Sequence, residues 1–161
     1  MSLKIVTIPD PILREKGKDL PLAILKLPKT QTLIKEMTKL MYAKDGVGIA
    51  APQVGQSIQL CVISKQYSPL KNNKELILIN PKWEKRTRSQ TKDIEGCLSV
   101  PQICAEVKRY KKIKVTALNE LGEKIQFEAD NFPARVIQHE IDHLNGILII
   151  DRSNKLFETE K

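Results

Sequence analysis

Histidine and cysteine are scarce in this chain, with 2 His and 3 Cys among 161 residues. So few thiols, with no export signal in view, argue against a disulfide framework and predict free cysteines in a reducing compartment. Aromatic residues make up only 4%, too few for the base-stacking platforms of single-strand binders. No stretch approaches the roughly 20 apolar residues of a membrane span. The opening Met-Ser-Leu-Lys-Ile-Val-Thr-Ile-Pro-Asp has neither the apolar run nor the small-residue cleavage site of a secretory signal, so the cytoplasm is the expected compartment. No repeat, low-complexity tract or linker interrupts the chain, and residues 1–161 are expected to form one domain. At this length folding buries about 70% of the unfolded surface, so bulk stability requires no disulfide or structural metal.

What is present fits an ordinary globule: 41% hydrophobic and 29% charged residues. Lys and Arg number 27 against 19 Asp and Glu, a net charge of +8. The basic residues are dispersed, and the densest run is Lys108, Arg109, Lys111, Lys112 and Lys114. A solvated lysine-rich surface accounts for this pattern. It is compatible with weak ribosome association, but points to no specific nucleic acid and no membrane partner. A monomer is expected.

Hydrophobic periodicity predicts a helix over residues 30–44, where Leu33, Ile34, Met37, Leu40 and Met41 recur at helical spacing. Strands are predicted over 58–64, 76–80, 103–107, 113–118 and 125–129, the last two flanking a hairpin signal at Asn119-Glu120-Leu121-Gly122. A second helix is predicted over 133–144, with Pro133 in its first turn and Asn145-Gly146 ending it. Ile147–Ile150 reads as a short buried strand. The order shows no βαβ alternation, so the expected class is α+β, with mainly antiparallel strands around a central C-terminal helix.

Both histidines lie in His139-Glu140-Ile141-Asp142-His143, an H-E-x-x-H pattern on that second helix. Positions i and i+4 differ by only about 40° around the axis, so two imidazoles can hold one ion. Glu140 projects beside them, placed to act as a base in metal-assisted hydrolysis. The bland alternative is two surface histidines on an amphipathic helix. Val136, Ile137, Ile141 and Leu144 surround the motif, so the histidines border the core face and need partners there. A third ligand is not evident downstream. Ile149 stands where metzincin proteases carry their third histidine, and Glu158 and Glu160 lie in a polar tail with little to fix them. Upstream, Glu95-Gly96-Cys97-Leu98-Ser99 offers a thiol that would complete a Cys-His-His set.

Three segments now stand in order: Gly46-Val47-Gly48-Ile49-Ala50-Ala51-Pro52-Gln53, Glu95-Gly96-Cys97-Leu98-Ser99 and Gln138-His139-Glu140-Ile141-Asp142-His143. In order and spacing they resemble the three signature motifs of the peptide deformylase family, and the resemblance covers nearly the whole chain. Ile49 replaces the family's usual Leu, and Cys104 falls where Arg or Tyr is common. The resemblance implies a hydrolase that removes the formyl group from N-terminal formyl-methionine of nascent peptides. It implies that Cys97, His139 and His143 hold one divalent metal, Fe²⁺ natively with Zn²⁺, Ni²⁺ or Co²⁺ as substitutes. Glu140 is then the general acid/base, and the Gln53 amide and Leu98 N–H are the oxyanion donors. Val47, Gly48 and Ile49 would pair with substrate as an added strand, with Gly48 and Gly96 allowing close approach. Glu95, Gly96, Arg135 and Val136 are the remaining expected substrate contacts, although a solvated Arg135 is a comparable reading. Two other classes compete, a zinc endopeptidase and a non-enzymatic basic module. The absent histidine at 149 weighs against the first, and an intact ligand set with its carboxylate base weighs against the second.

Overall fold

The computed structural model of the chain describes residues 2–159. After a lead-in with a 3-10 turn at Pro11–Arg14, two helices follow, α1 (Leu22–Leu25) and α2 (Pro28–Ala43). Eight strands come next: β1 (Gly48–Ala50), β2 (Leu60–Ile63), β3 (Leu76–Lys85), β4 (Gln90–Cys97), β5 (Val100–Tyr110), β6 (Lys112–Leu118), β7 (Lys124–Asp130) and, near the C-terminus, β8 (Leu156–Glu158). Helix α3 (Asn131–Leu144) lies between β7 and β8 in sequence.

The strands form two antiparallel sheets, ordered β1-β2-β3-β6-β7 and β4-β5-β8. The fold is therefore α+β. The apolar runs of β2 and β3 have a direct cause: the larger sheet is covered on both faces. Cys61, Ile63, Leu76 and Leu78 join Ile137, Ile141 and Leu144 of α3 on one face. Leu60, Val62, Ile77 and Ile79 join Ile34, Met37 and Met41 of α2 on the other. On β6, Ile113, Val115 and Ala117 are buried in alternation, as a half-covered strand requires. Helix α3 also meets β5 of the smaller sheet, so the H-E-x-x-H helix sits between the two sheets.

Helix α3 stops at Asn145, and Gly146 takes a φ of +73°. A Cβ there would collide with the Arg14 carbonyl oxygen, so both the turn and the close approach require glycine.

Four expectations change. Ile147–Ile150 is not a strand: Ile149–Asp151 is a 3-10 turn, and Leu148 and Ile149 are buried beside Leu13 and Val107. Buried apolar runs this short satisfy either geometry. The polar tail is fixed, because Leu156, Phe157 and Glu158 pair with Ala105, Cys104 and Ile103 of β5; Glu160 lies outside the described residues. Strand β4, which carries Glu95-Gly96-Cys97, gave no apolar alternation because it is largely exposed. Strand β1 lies inside the glycine-rich motif, where no strand was expected.

Candidate metal centre and substrate cleft

The three expected ligands come from two elements. Cys97 ends β4, and His139 and His143 occupy adjacent turns of α3. Cys97 Sγ lies 3.3 Å from His143 Nε2, and His143 Nε2 lies 3.2 Å from His139 Nε2. All three donor atoms lie within 4.8 Å of one another. Ligand distances of about 2.0 Å for nitrogen and 2.3 Å for sulfur, at tetrahedral angles, place donors roughly 3.3–3.5 Å apart. The set therefore fits one small divalent ion.

The electrostatics agree with this fit. Burial pulls the His139 ring down, but hydrogen bonds to Cys97 and Glu95 and the nearby Glu140 charge outweigh it and hold the ring up at about 10. His143 goes the other way, pushed well below its ordinary value by burial and by His139. The concentrated negative field that draws a proton onto His139 is the field that would hold a cation. Burial raises the Glu140 carboxylate to about 7, with Glu95 and Asp142 adding to the rise and His139 and Arg109 opposing it. Among the described residues its buried Oε2 has no hydrogen-bond partner, and neither has His143 Nδ1.

Gln53 sits on the 3-10 turn Ala51–Val54 and is almost fully buried. Its Oε1 accepts from the Ala50 N–H at 2.9 Å. Since that N–H can only donate, the opposite end of the amide must be Nε2. Nε2 donates to Ser99 Oγ at 3.2 Å and faces Cys97 Sγ at 3.8 Å. Leu98 occupies the turn between β4 and β5, outside the ladder in which Cys97 pairs with Val100.

A cleft of about 380 Å³ opens here, between Gly46–Gly48 on one side and Ile94–Leu98 on the other. Phe132, Arg135, Val136, His139 and Glu140 complete much of its lining. Strands β1 and β4 are each the outermost strand of their sheet at this point, so the cleft runs between two sheet edges.

Several expected substrate contacts have other roles. Ile49 is fully buried in the α2 cluster and is not among the residues that line the cleft. A Cβ on Gly48 would lie 2.6 Å from Glu140 Oε1, so this glycine makes room for the carboxylate. A Cβ on Gly96 would meet only Cys104 Sγ, at an ordinary 3.7 Å. Glu95 and Arg135 line the cleft, but their charged ends are engaged inside the protein. Glu95 accepts from Arg109 Nε and Nη2, both at 2.9 Å, from Arg135 Nη1 at 2.6 Å, and meets His139 Nδ1 at 2.8 Å. Despite its burial, the hydrogen bonds and charges of Arg109 and His139 hold its carboxyl well below the usual range. Arg135 also donates to Val107 O, Thr91 O and Thr91 Oγ1, which rules out the solvated reading.

Arg109 escaped the sequence reading because it sits within the basic run. It is buried, and its third branch, Nη1, donates to Asp142 Oδ2 at 2.6 Å. Asp142 is buried in this ion-pair network. A signal was available: Ala105, Val107 and Arg109 follow the period-two inward face of β5.

Comparison with known proteins agrees. A family model described as polypeptide deformylase matches residues 2–158. The peptide deformylase of Desulfotalea psychrophila is 42% identical over 154 residues, 96% of this chain and 89% of that protein. Peptide deformylase 1B, chloroplastic/mitochondrial, of Arabidopsis thaliana is 43% identical over 93% of this chain and 54% of that protein. The crystal structure of peptide deformylase from Thermotoga maritima superposes with a TM-score of 0.85 at 38% identity, covering 96% of this chain and 99% of that one.

Proposed function

We propose a division of catalytic labour for a chain that belongs to the polypeptide deformylase family and removes the N-formyl group from nascent polypeptides, releasing formate. The observation that carries it is the convergence of Cys97, His139 and His143 beside a buried carboxylate with an unpartnered oxygen. When bound, a divalent ion on those three residues supplies Lewis acidity toward water and the formyl carbonyl. Glu140 takes the proton of the attacking water at Oε2 and returns it to the amine nitrogen as the formyl C–N bond breaks. The Gln53 amide, fixed by Ala50, and the Leu98 N–H, free of the β4–β5 ladder, stabilise the developing oxyanion. The peptide lies extended along the backbone of Val47–Ile49 and opposite Gly96, adding a strand at the sheet edges. Val136, Val47 and the aliphatic part of Arg135 face its first side chain.

Fe²⁺ is the proposed native ion, with Zn²⁺, Ni²⁺ or Co²⁺ able to replace it, since a thiolate with two imidazoles suits all four. Residues 1–161 act as one catalytic domain, as a monomer in the cytoplasm. No helix among the described residues is long and apolar enough to cross a membrane. The +8 charge supports weak, salt-sensitive ribosome association.

Formate release from a formyl-Met peptide by the Fe²⁺ or Ni²⁺ form tests the reaction. Cleavage of internal peptide bonds without formate would replace it with an endopeptidase. Cys97→Ala should lose most of its bound metal by elemental analysis, and full retention would remove Cys97 from the ligand set. Gly48→Ala should lower kcat/KM by about 100-fold, because its methyl displaces the Glu140 carboxylate by the order of an ångström. Metal content and circular dichroism should stay at wild-type values, and unchanged kinetics would refute the packing role given to Gly48.

A further inference from the structure

Arg152 lies just past the Ile149–Asp151 turn, about 40% exposed, and forks onto a buried carboxylate of the ligand helix. Its Nη2 donates to Asp142 Oδ1 at 2.7 Å and its Nε to Asp142 Oδ2 at 3.0 Å. Asp142 directly precedes His143. Through Arg109 the same carboxylate is linked to Glu95, and Glu95 holds His139 Nδ1. One unbroken line of hydrogen bonds thus runs from a solvent-facing guanidinium to an expected metal ligand.

We propose that Arg152 is a positioning residue for the metal centre, acting through Asp142, Arg109 and Glu95 on His139. The proposal rests on the ligand set given above. Its physical basis is competition: Glu95 and Asp142 are both buried, and both take donors from the single guanidinium of Arg109. Among the described residues, Arg152 alone donates to Asp142 Oδ1. Without it that oxygen loses its donor, and the nearest guanidinium able to compensate is Arg109, drawn off Glu95. Glu95 then grips the His139 ring less firmly. Lysine cannot reproduce the two-pronged contact, so Arg152→Lys should be only a partial substitute.

The competing explanation is that Arg152 merely fastens the C-terminal segment. That segment has fastenings of its own, since Arg14 pairs with Asp151 and β8 pairs with β5. Arg14→Ala therefore loosens the segment without touching Asp142.

The test follows release of Zn²⁺ to a chelator from the loaded full-length protein, together with kcat, KM and the melting of the metal-free form. Arg152→Gln should release metal at least about 10-fold faster, the usual scale for losing a group that orients a ligand. KM should stay near wild type, Arg152→Lys should fall between, and Arg14→Ala should match wild type. In an Asp142→Asn background Arg152→Gln should add little, because the path is already cut. Equal effects from Arg14→Ala and Arg152→Gln would reduce Arg152 to an anchor. Wild-type release from Arg152→Gln, or full additivity with Asp142→Asn, would overturn the coupling. Failure of the ligand set itself would show separately, as full metal retention by Cys97→Ala.

Discussion

Replacing Glu140 with alanine is expected to lower kcat for formate release by about 10²–10⁴-fold, the range for removing a positioned acid/base. Glu140 is enclosed by Gly48 on β1 and by the helix that bears both histidines. Its Oε2 has no hydrogen-bond partner among the described residues, so that oxygen is free to exchange a proton with a reacting group. In the metal-free protein burial raises the carboxyl to about 7. Because the ligand atoms belong to other residues, metal content should not change. The fall should appear in kcat more than in KM, since the proton moves only as the bond rearranges. Glu140→Gln keeps the volume and should be equally slow. Robust turnover by either variant, with stoichiometric metal, would remove the carboxylate from the mechanism.

Arg109→Met is expected to destabilise the metal-free protein by about 3–5 kcal/mol, the cost of taking one partner from a buried ion pair. Arg109 is the only guanidinium bonded to both Glu95 and Asp142 among the described residues. Its removal leaves Arg135 for Glu95 and Arg152 for Asp142, but deprives both carboxylates of their shared donor. At this chain length the loss corresponds to a fall in melting temperature on the order of 10 °C. Urea or thermal unfolding of the metal-free form reads it without interference from ion loss. A lysine or arginine on the open surface would cost about 0.5 kcal/mol or less. A change that small would mean Arg109 belongs to the solvated basic face after all.

The contrast between these two residues shows what a sequence can reveal. Glu140 was legible because helical periodicity is local: four residues fix the angle between two imidazoles, and the carboxylate falls beside them. Cys97 lies 42 residues before His139; ligand chemistry made it a candidate third donor, and the resemblance of three ordered motifs joined it to the histidines. Arg109 makes its ion pairs with residues 14 positions before it and 33 after it. No local pattern reports such distances, and four lysines around it imitate a surface. Elements differed in the same way. Helix α2 and the β6–β7 hairpin announce themselves by one-sided burial and turn chemistry. Strands β4 and β8 bury little, so pairing with β5, rather than side-chain pattern, decides their conformation. Ile147–Ile150 shows the converse, since apolar composition gave burial correctly and geometry wrongly. Glu95 was singled out as a contact for the substrate, yet its carboxylate serves the histidine behind the cleft.

The sheet edges at the cleft have a consequence for self-association. An unpaired edge is a template on which folded proteins can zip together and aggregate. Here β1 is only three residues long, and the β4–β5 pairing breaks register between Gly96 and Cys97. An edge as short as β1 offers too few aligned backbone groups for a rigid neighbour. A flexible chain end that inserts singly needs only those few. The shortness of β1 that restrains edge-to-edge growth therefore leaves the opening available to an unfolded polypeptide terminus.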